Sequence, residues 1–307
     1  MRTRTIGSLD VSVVGLGCNN FGGRLDEERS AAVVHAAIDT GITFFDTADI
    51  YGGTRSEEFV GRALGPRRDR VVLATKFGMA VDEQRQGAKP DYVRRALDDS
   101  LRRLGTDRVD LYQLHAPDPT TPIADTLAVL DECVRAGKVR EIGCSNFTVA
   151  QLQEAALAAR EGAARFVSVQ NEYSLLHRGP EADVLVECER TGIAFIPYFP
   201  LASGVLTGKY RSDGEPPAGT RLAGMPADRR RGLLSVGNVA AIERLSGFAE
   251  RHGRSLVELA IAWVAAHGSV ASVIAGATSP EQVRANAAAA DWVLGADEVA
   301  EVDALTP

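Results

Sequence analysis

The chain has 307 residues, 45% of them hydrophobic and 24% charged, with a formal net charge of −7. That balance fits a globular chain with a sizeable core and argues against nucleic acid or an anionic membrane as partner, since both attract basic surfaces. The four cysteines, Cys18, Cys133, Cys144 and Cys188, form neither a C-x-x-C pair nor a Cys/His cluster with zinc spacing.

The opening residues, MRTRTIGSLDVSVVGLG, lack the long apolar run of a signal peptide, and no stretch approaches ~18 uninterrupted apolar residues. The expectation is a cytoplasmic protein with reduced thiols and no transmembrane helix. Residues 2–12 read as a hairpin around Gly7 and Ser8. A strand-then-helix rhythm follows. Strands are predicted over 13–17, 43–47, 70–76, 109–115, 139–145, 166–170, 194–198 and 271–276. Amphipathic helices are predicted over 26–41, 90–105, 121–138, 148–160, 179–192 and 279–291, with a further start at Ser56. The rhythm breaks once, at a Gly-, Pro- and Arg-rich loop over 199–235, before two helices near 236–252 and 255–267. Short apolar strands alternating with helices predict a parallel sheet covered by helices, closed as one α/β barrel domain over residues 1–307.

In such a barrel the chemistry sits at the C-terminal ends of the strands. Strand two ends in Asp46, strand three in Lys76 and strand four in His115. Neighbouring strands are ~4.8 Å apart, so an acid, a base and an imidazole reach one rim. Lys76 follows the apolar run VVLAT and needs a counter-ion, which Asp46 supplies. Tyr51, five residues after Asp46 and ahead of Gly52 and Gly53, can fold back over that rim. A free phenol has a pKa of ~10, and an adjacent ammonium is expected to lower it, making Tyr51 a general acid for a developing alkoxide. Alone, each residue reads as a cap, a structural histidine or a packing tyrosine; together, on adjacent strands, they read as a catalytic group.

The other strand ends suit a flat heterocycle bearing a carboxamide. Ser145 and Asn146 follow strand five and Gln170 ends strand six, all able to pair with an amide. Tyr198, ending strand seven, can stack on a ring. After strand eight, Ser279 is a good N-cap and Pro280 suits the first helical position, which makes a natural phosphate-binding turn.

These residues, with the segments GITFFDTADIYGGTRSEEFVGRAL, VDLYQLHAPD, GCSNF, VQNEYSLL, YFPLASGVLTGKY and GATSPEQVRAN in order, resemble the aldo-keto reductase superfamily over nearly the whole chain. The pattern is similar to bacterial members of the group related to potassium-channel β-subunits. The resemblance implies a (β/α)8 TIM barrel with an N-terminal β-hairpin cap and extra helices near the C-terminus. It also implies an NADPH-dependent oxidoreductase that reduces a small-molecule aldehyde or ketone. By motif, Tyr51 is the proton donor, Asp46 and Lys76 tune it, and His115 orients the carbonyl. Ser145, Asn146 and Gln170 bind the carboxamide of NADP(H), and Tyr198 stacks on the nicotinamide. Leu201, Ser203, Gly204 and Lys209 line the pyrophosphate; Gly276, Thr278, Ser279, Gln282 and Asn286 hold the adenosine and 2′-phosphate end.

Two positions depart from the pattern: Phe199 replaces a small residue, and Thr278 stands where many relatives carry arginine. A helix starting near Pro280 puts Gln282 and Asn286 on one face and turns Arg284 away. The expected preference for NADP(H) over NAD(H) is therefore smaller than in arginine-bearing relatives. The substrate walls are expected from Phe21, Ile50, Phe77 and parts of 116–122 and 199–235.

Other readings fare worse. In GLGCNNFG, Asn20 sits where a dinucleotide-binding fingerprint needs its third glycine. Five histidines, one of them at a strand end, give poor support to a metal-dependent hydrolase. Ser145 lacks a G-x-S-x-G elbow. The serious rival is an NADP(H)-binding regulatory or redox-sensing subunit with little turnover, because channel β-subunits keep the same four catalytic residues. Steady-state NADPH oxidation with a panel of aldehydes separates the two.

Overall fold

The structure is a computed structural model that describes residues 1–210, 216–217 and 219–306. Strands β1 (Thr3–Ile6) and β2 (Leu9–Ser12) form the antiparallel hairpin read at the start of the chain. Gly7 makes its turn at φ +55°, where a Cβ would lie 2.7 Å from Glu141 Oε1. That oxygen instead accepts the Ser8 N–H at 2.8 Å, which ties the hairpin to the barrel wall.

Eight parallel strands follow: β3 (Val14–Gly17), β4 (Phe44–Asp46), β5 (Val72–Phe77), β6 (Val109–Leu114), β7 (Val139–Ser145), β8 (Phe166–Glu172), β9 (Ala194–Tyr198) and β10 (Val273–Gly276). They are ordered β10-β3-β4-β5-β6-β7-β8-β9. The ring closes where Phe195 N–H donates to Ser269 O at 2.8 Å and Ala271 N–H donates to Phe195 O at 2.9 Å. This is the expected (β/α)8 barrel. Ile6, Leu9 and Val11 of the hairpin are buried against Phe44, Val72, Ala74, Leu111, Ala194 and Ile196, so the hairpin plugs the N-terminal mouth. The larger core lies between strands and helices.

The helices are α1 (Glu27–Asp39), α2 (Arg55–Leu64), α3 (Pro90–Leu104), α4 (Ile123–Arg135), α5 (Val149–Ala158), α6 (Val184–Thr191), α7 (Ala227–Leu233), α8 (Val236–Arg251), α9 (Leu256–Ala266), α10 (Pro280–Ala288) and α11 (Ala296–Leu305). Their ends follow local chemistry. Asp26 caps α1, and Thr148 and Ser255 form capping boxes with Gln151 and Glu258. Gly105 ends α3 in the left-handed region.

Two regions differ from the sequence expectation. The segment 199–235 is not all loop: it carries a 3-10 turn at Ala202–Thr207 and helix α7. Helix α11 was not expected at all. Its sequence, ADEVAEVDAL, buries Val302 alone, and tertiary contacts hold it. Trp263 Nε1 donates to Asp303 Oδ1 at 2.9 Å and Arg178 Nη1 donates to Thr306 Oγ1 at 2.7 Å.

Candidate active site

Asp46 ends β4, Lys76 is the penultimate residue of β5, and His115 follows β6 directly. Tyr51 lies on the loop between β4 and α2. The loop is fixed from below: Asp49 N–H donates to Lys76 O and Tyr51 N–H to Ala48 O, both at 3.2 Å. Gly52 is required here. It has φ +60°, and a Cβ would come within 2.2 Å of Phe21 O.

Lys76 is wholly buried. Its ammonium donates to Asp46 Oδ2 at 2.6 Å, to Thr47 O at 2.9 Å and to Tyr51 Oη at 3.5 Å. The other carboxylate oxygen, Asp46 Oδ1, accepts from Gln113 Nε2 at 3.2 Å and Gln170 Nε2 at 2.9 Å. A buried ion pair is tolerated when its remaining valences are filled in this way. Burial opposes the ammonium, yet Asp46 and Tyr51 outweigh it and hold Lys76 above the usual lysine range. Tyr51 departs from expectation. Burial raises its pKa by more than Lys76 lowers it, so the net shift is upward. The lysine moderates a phenol that its surroundings keep protonated.

The His115 ring stands edge-on to the Tyr51 ring, with centroids 5.7 Å apart at 79°. Burial, then the Lys76 charge, pushes its pKa down to about 3, so the imidazole is neutral at physiological pH. Nδ1 is buried with no partner among the described residues. The single ring proton therefore belongs on Nε2, where it can be donated.

Over this rim lies a cleft of about 660 Å³. Every site residue expected from the sequence lines it except two. Lys76 is sealed behind Asp46 and Tyr51. Ser279 instead caps α10, its Oγ accepting Gln282 N–H at 3.4 Å. Several expected amide binders already have protein partners. Ser145 Oγ donates to Gln170 O at 2.7 Å, and Gln170 spends its Nε2 on Asp46. Asn146 Nδ2 donates to His115 O at 2.9 Å, and Asn146 Oδ1 accepts the Tyr198 hydroxyl at 2.8 Å. Tyr198 is thereby braced, with the Phe199 ring edge-on to it at 5.1 Å.

Among the described residues, the non-glycine positions with positive φ are Thr54, Asn146, Phe199, Ala202 and Ser203. All belong to loops around this cleft, and such strain is concentrated where a surrounding structure holds a binding surface in place. At the left-handed turn 202–204, a Cβ on Gly204 would lie 3.7 Å from both Lys209 Nζ and Tyr210 Oη. That hydroxyl lines the cleft, buried and without a partner among the described residues. A turn of this kind with a cation and a free hydroxyl fits a bound anion.

The turn after β10 is less open than expected. Thr278 N–H and Oγ1 both donate to Gln282 Oε1, at 2.8 and 3.1 Å. Arg284 points away and pairs with Glu281, as the helical spacing indicates. The cation near this turn comes from elsewhere. Arg221 Nη2 donates to Asn19 Oδ1 at 3.0 Å and Asn20 Oδ1 at 3.1 Å, and Asn20 Nδ2 donates to Ala277 O at 3.2 Å. Arg24 and Arg229 line the same cleft.

Sequence reading missed these residues and Gln113. For Gln113 a signal existed: it lies two before His115 on the same strand and so shares its face. The arginines carried none, because their placement depends on how a long loop folds. The same alternation corrects the expected substrate walls. Phe77 follows Lys76, faces away from the interior, and stacks on Tyr112 at 4.7 Å. Phe21 is fully buried in the core, and Ile50 and residues 116–122 do not line the cleft.

The sequence profile described as the aldo/keto reductase family matches residues 13–307. Aldo-keto reductase YhdN of Bacillus subtilis is 32% identical over 97% of this chain and 90% of its own length. The Schizosaccharomyces pombe aldo-keto reductase yakc [NADP(+)] is 35% identical over 87% and 80%. Among solved structures, the glycerol dehydrogenase AKR11B4 from Gluconobacter oxydans superposes with a TM-score of 0.86 at 31% identity, covering 99% of this chain and 94% of its own. These relatives are named as reductases and a dehydrogenase, which favours an enzyme over a regulatory subunit. No helix among the described residues is long and apolar enough to cross a membrane. With the profile match running almost end to end over a barrel of this topology, the chain belongs to the aldo/keto reductase family of oxidoreductases.

Proposed function

We propose that this barrel, as one domain, reduces an aldehyde or ketone to an alcohol with NADPH, and that Tyr51 gives the proton. The carrying observation is the contact of one buried ammonium with both Asp46 and Tyr51, at 2.6 and 3.5 Å, beneath the open cleft. The nicotinamide cofactor, when bound, supplies the hydride. Its residues fit. Tyr198 offers a braced ring, and Asn146, Ser145 and Gln170 present amide and hydroxyl edges. Leu201, Ser203, Gly204 and Lys209 line the cleft with the Tyr210 hydroxyl, which has no partner among the described residues and suits phosphate oxygens.

His115 Nε2–H donates to the carbonyl oxygen of the substrate and orients it beside Tyr51. As negative charge develops on that oxygen, the Tyr51 hydroxyl transfers its proton to it. An alkoxide is far more basic than a phenolate, so the upward shift of Tyr51 does not block the transfer. Lys76 then stabilises the phenolate left behind, and Asp46 keeps the lysine charged and aimed.

Preference for NADP(H) rests on Arg221. Thr278 spends its N–H and its hydroxyl on Gln282 Oε1, and Gln282 and Asn286 offer neutral amides, so the charged donor for a 2′-phosphate is the guanidinium joined to Ala277 through Asn20. Tyr51→Phe is the direct test. It should keep NADPH affinity, read by fluorescence titration, and lose about 10²–10⁴-fold in turnover, the range for a positioned general acid. Near wild-type turnover would move the acid to another residue.

A further inference from the structure

Gln113 is wholly buried, and it touches both halves of the site: Asp46 of the proton-donor set and Gln170 of the cofactor set. On β6 it pairs across one ladder with Lys76 of β5 and across the other with Gly143 of β7. Gly143 has no side chain to block the way. A Cβ there would lie 3.3 Å from Gln113 Cγ and would collide with Ser168 Oγ of β8. The Gln113 side chain therefore reaches over β7 and meets Gln170 of β8, two strands away.

The chemistry of the three groups leaves one arrangement. Asp46 Oδ1 belongs to a carboxylate whose other oxygen holds the Lys76 ammonium, and it only accepts. Both glutamines turn an N–H to it, Gln113 Nε2 at 3.2 Å and Gln170 Nε2 at 2.9 Å. Gln113 Oε1 is left to accept the second N–H of Gln170, at 3.4 Å. Both protons of the Gln170 amide are thus spent on the barrel interior.

Two acceptors on one NH2 group fix the plane of the amide, which the terminal torsion of a glutamine leaves broad. Gln170 Oε1 must then point away from Asp46 and Gln113, and Gln170 lines the cleft. The neighbouring acceptors are already occupied. Ser145 Oγ accepts Asn146 Nδ2 at 3.1 Å, and Asn146 Oδ1 accepts the Tyr198 hydroxyl at 2.8 Å. Gln170 Oε1 has no donor among the described residues.

We propose that Gln113 is a positioning residue for the cofactor. It holds the Gln170 amide with its oxygen toward the cleft, so the nicotinamide seat selects a ring substituent with an N–H to donate. This rests on the NADP(H) reading above, in which Gln170 meets the carboxamide, and adds the residue that aims it. Without Gln113, Asp46 holds Gln170 by one bond, and the oxygen swings about that bond.

The test compares NADP+ with its 3-acetylpyridine analogue, in which a methyl group replaces the amide NH2 and the carbonyl stays. Dissociation constants for the full chain are read by calorimetry, without turnover. Wild type should bind NADP+ more tightly by about fivefold, the scale of one neutral hydrogen bond. Gln113→Met keeps the length without the amide and should cut that ratio to about twofold or less. Gln113→Asn keeps the polarity, is one methylene too short to reach Gln170, and should do the same if the Met variant does not fold. A merely structural role would weaken both dinucleotides equally and leave the ratio unchanged. A wild-type ratio near one, or a wild-type ratio kept in either folded variant, would overturn the proposal. If wild type binds neither dinucleotide, the NADP(H) reading fails as well.

Discussion

Asp46 and Asp49 stand three residues apart, each 2% exposed, and their surroundings treat a buried carboxyl in opposite ways. Asp46 faces the barrel interior, where Lys76, Gln113 and Gln170 all donate to it. Asp49, one turn of loop later, lies between the barrel and helices α2 and α3. Among the described residues its Oδ1 has no partner, and the buried Tyr112 hydroxyl is likewise without one. Its charged neighbour Glu57, wholly buried, already holds Arg103 Nε and Thr75 Oγ1, both at 2.6 Å. Burial first, then Glu57, raises the Asp49 pKa to about 7, with Arg103 opposing. Residue type and burial are the same, so the surroundings make the difference: a cation and two amides donate to Asp46, whereas burial and the Glu57 charge at Asp49 outweigh Arg103 and the Ile50 N–H.

The largest expected effect comes from breaking the satisfied side. Lys76→Met leaves Asp46 without its cation, and removing one partner of a buried pair costs about 3–5 kcal/mol. Thermal melting should fall accordingly, and carbonyl reduction should drop by ~10²-fold or more as Tyr51 loses its stabilising charge. Adding Asp46→Asn should recover part of the melting temperature and none of the turnover. A single variant as stable as wild type would mean that the glutamine donors alone satisfy Asp46.

The unsatisfied side should respond the other way. Asp49 titrates near ~3.9 when unfolded and at about 7 when folded, so the native state binds the extra proton. The stability linked to that proton is fully present below pH ~4 and is lost as pH rises through about 7. Asp49→Asn removes the dependence. It should be more stable than wild type at pH 8 by about 4 kcal/mol, with the gap narrowing toward pH 5. Denaturant titrations at both values read this directly, and a variant less stable at pH 8 would show that the Asp49 charge is partnered after all.

A smaller effect tests whether loop-borne groups act independently of this strand-borne set. Arg221→Ala should cut the NADPH over NADH preference in kcat/KM by about tenfold, one charge-assisted contact, with little change for NADH. An equal loss for both cofactors would place Arg221 on a feature that they share.

The hairpin sits where its residues suggested. The rim was legible for a local reason. Asp46, Lys76 and His115 end runs of apolar residues, and adjacency in a parallel barrel follows from chain order. Tyr51 was legible from the glycines that hinge its loop. Helix α11 was not, because one buried valine gives no periodic pattern and its hold comes from Trp263 and Arg178 across the fold.

From the sequence alone come the strand-and-helix alternation, the residues at the strand ends, and with them the family. These depend on patterns a few residues long, set by the two-residue period of strands and the caps of helices. Tertiary structure decided the electrostatics and the walls of the cleft. The donors that satisfy Asp46 come from up to 124 residues away, as with Gln170, and the upward shift of Asp49 comes from its burial against Glu57. The upward shift of Tyr51 depends on how deeply it is buried, and the reach of Arg221 and Arg229 into the cleft depends on the path of segment 199–235. Charge states and loop positions are sums over neighbours distant in the chain, and no local spacing encodes them.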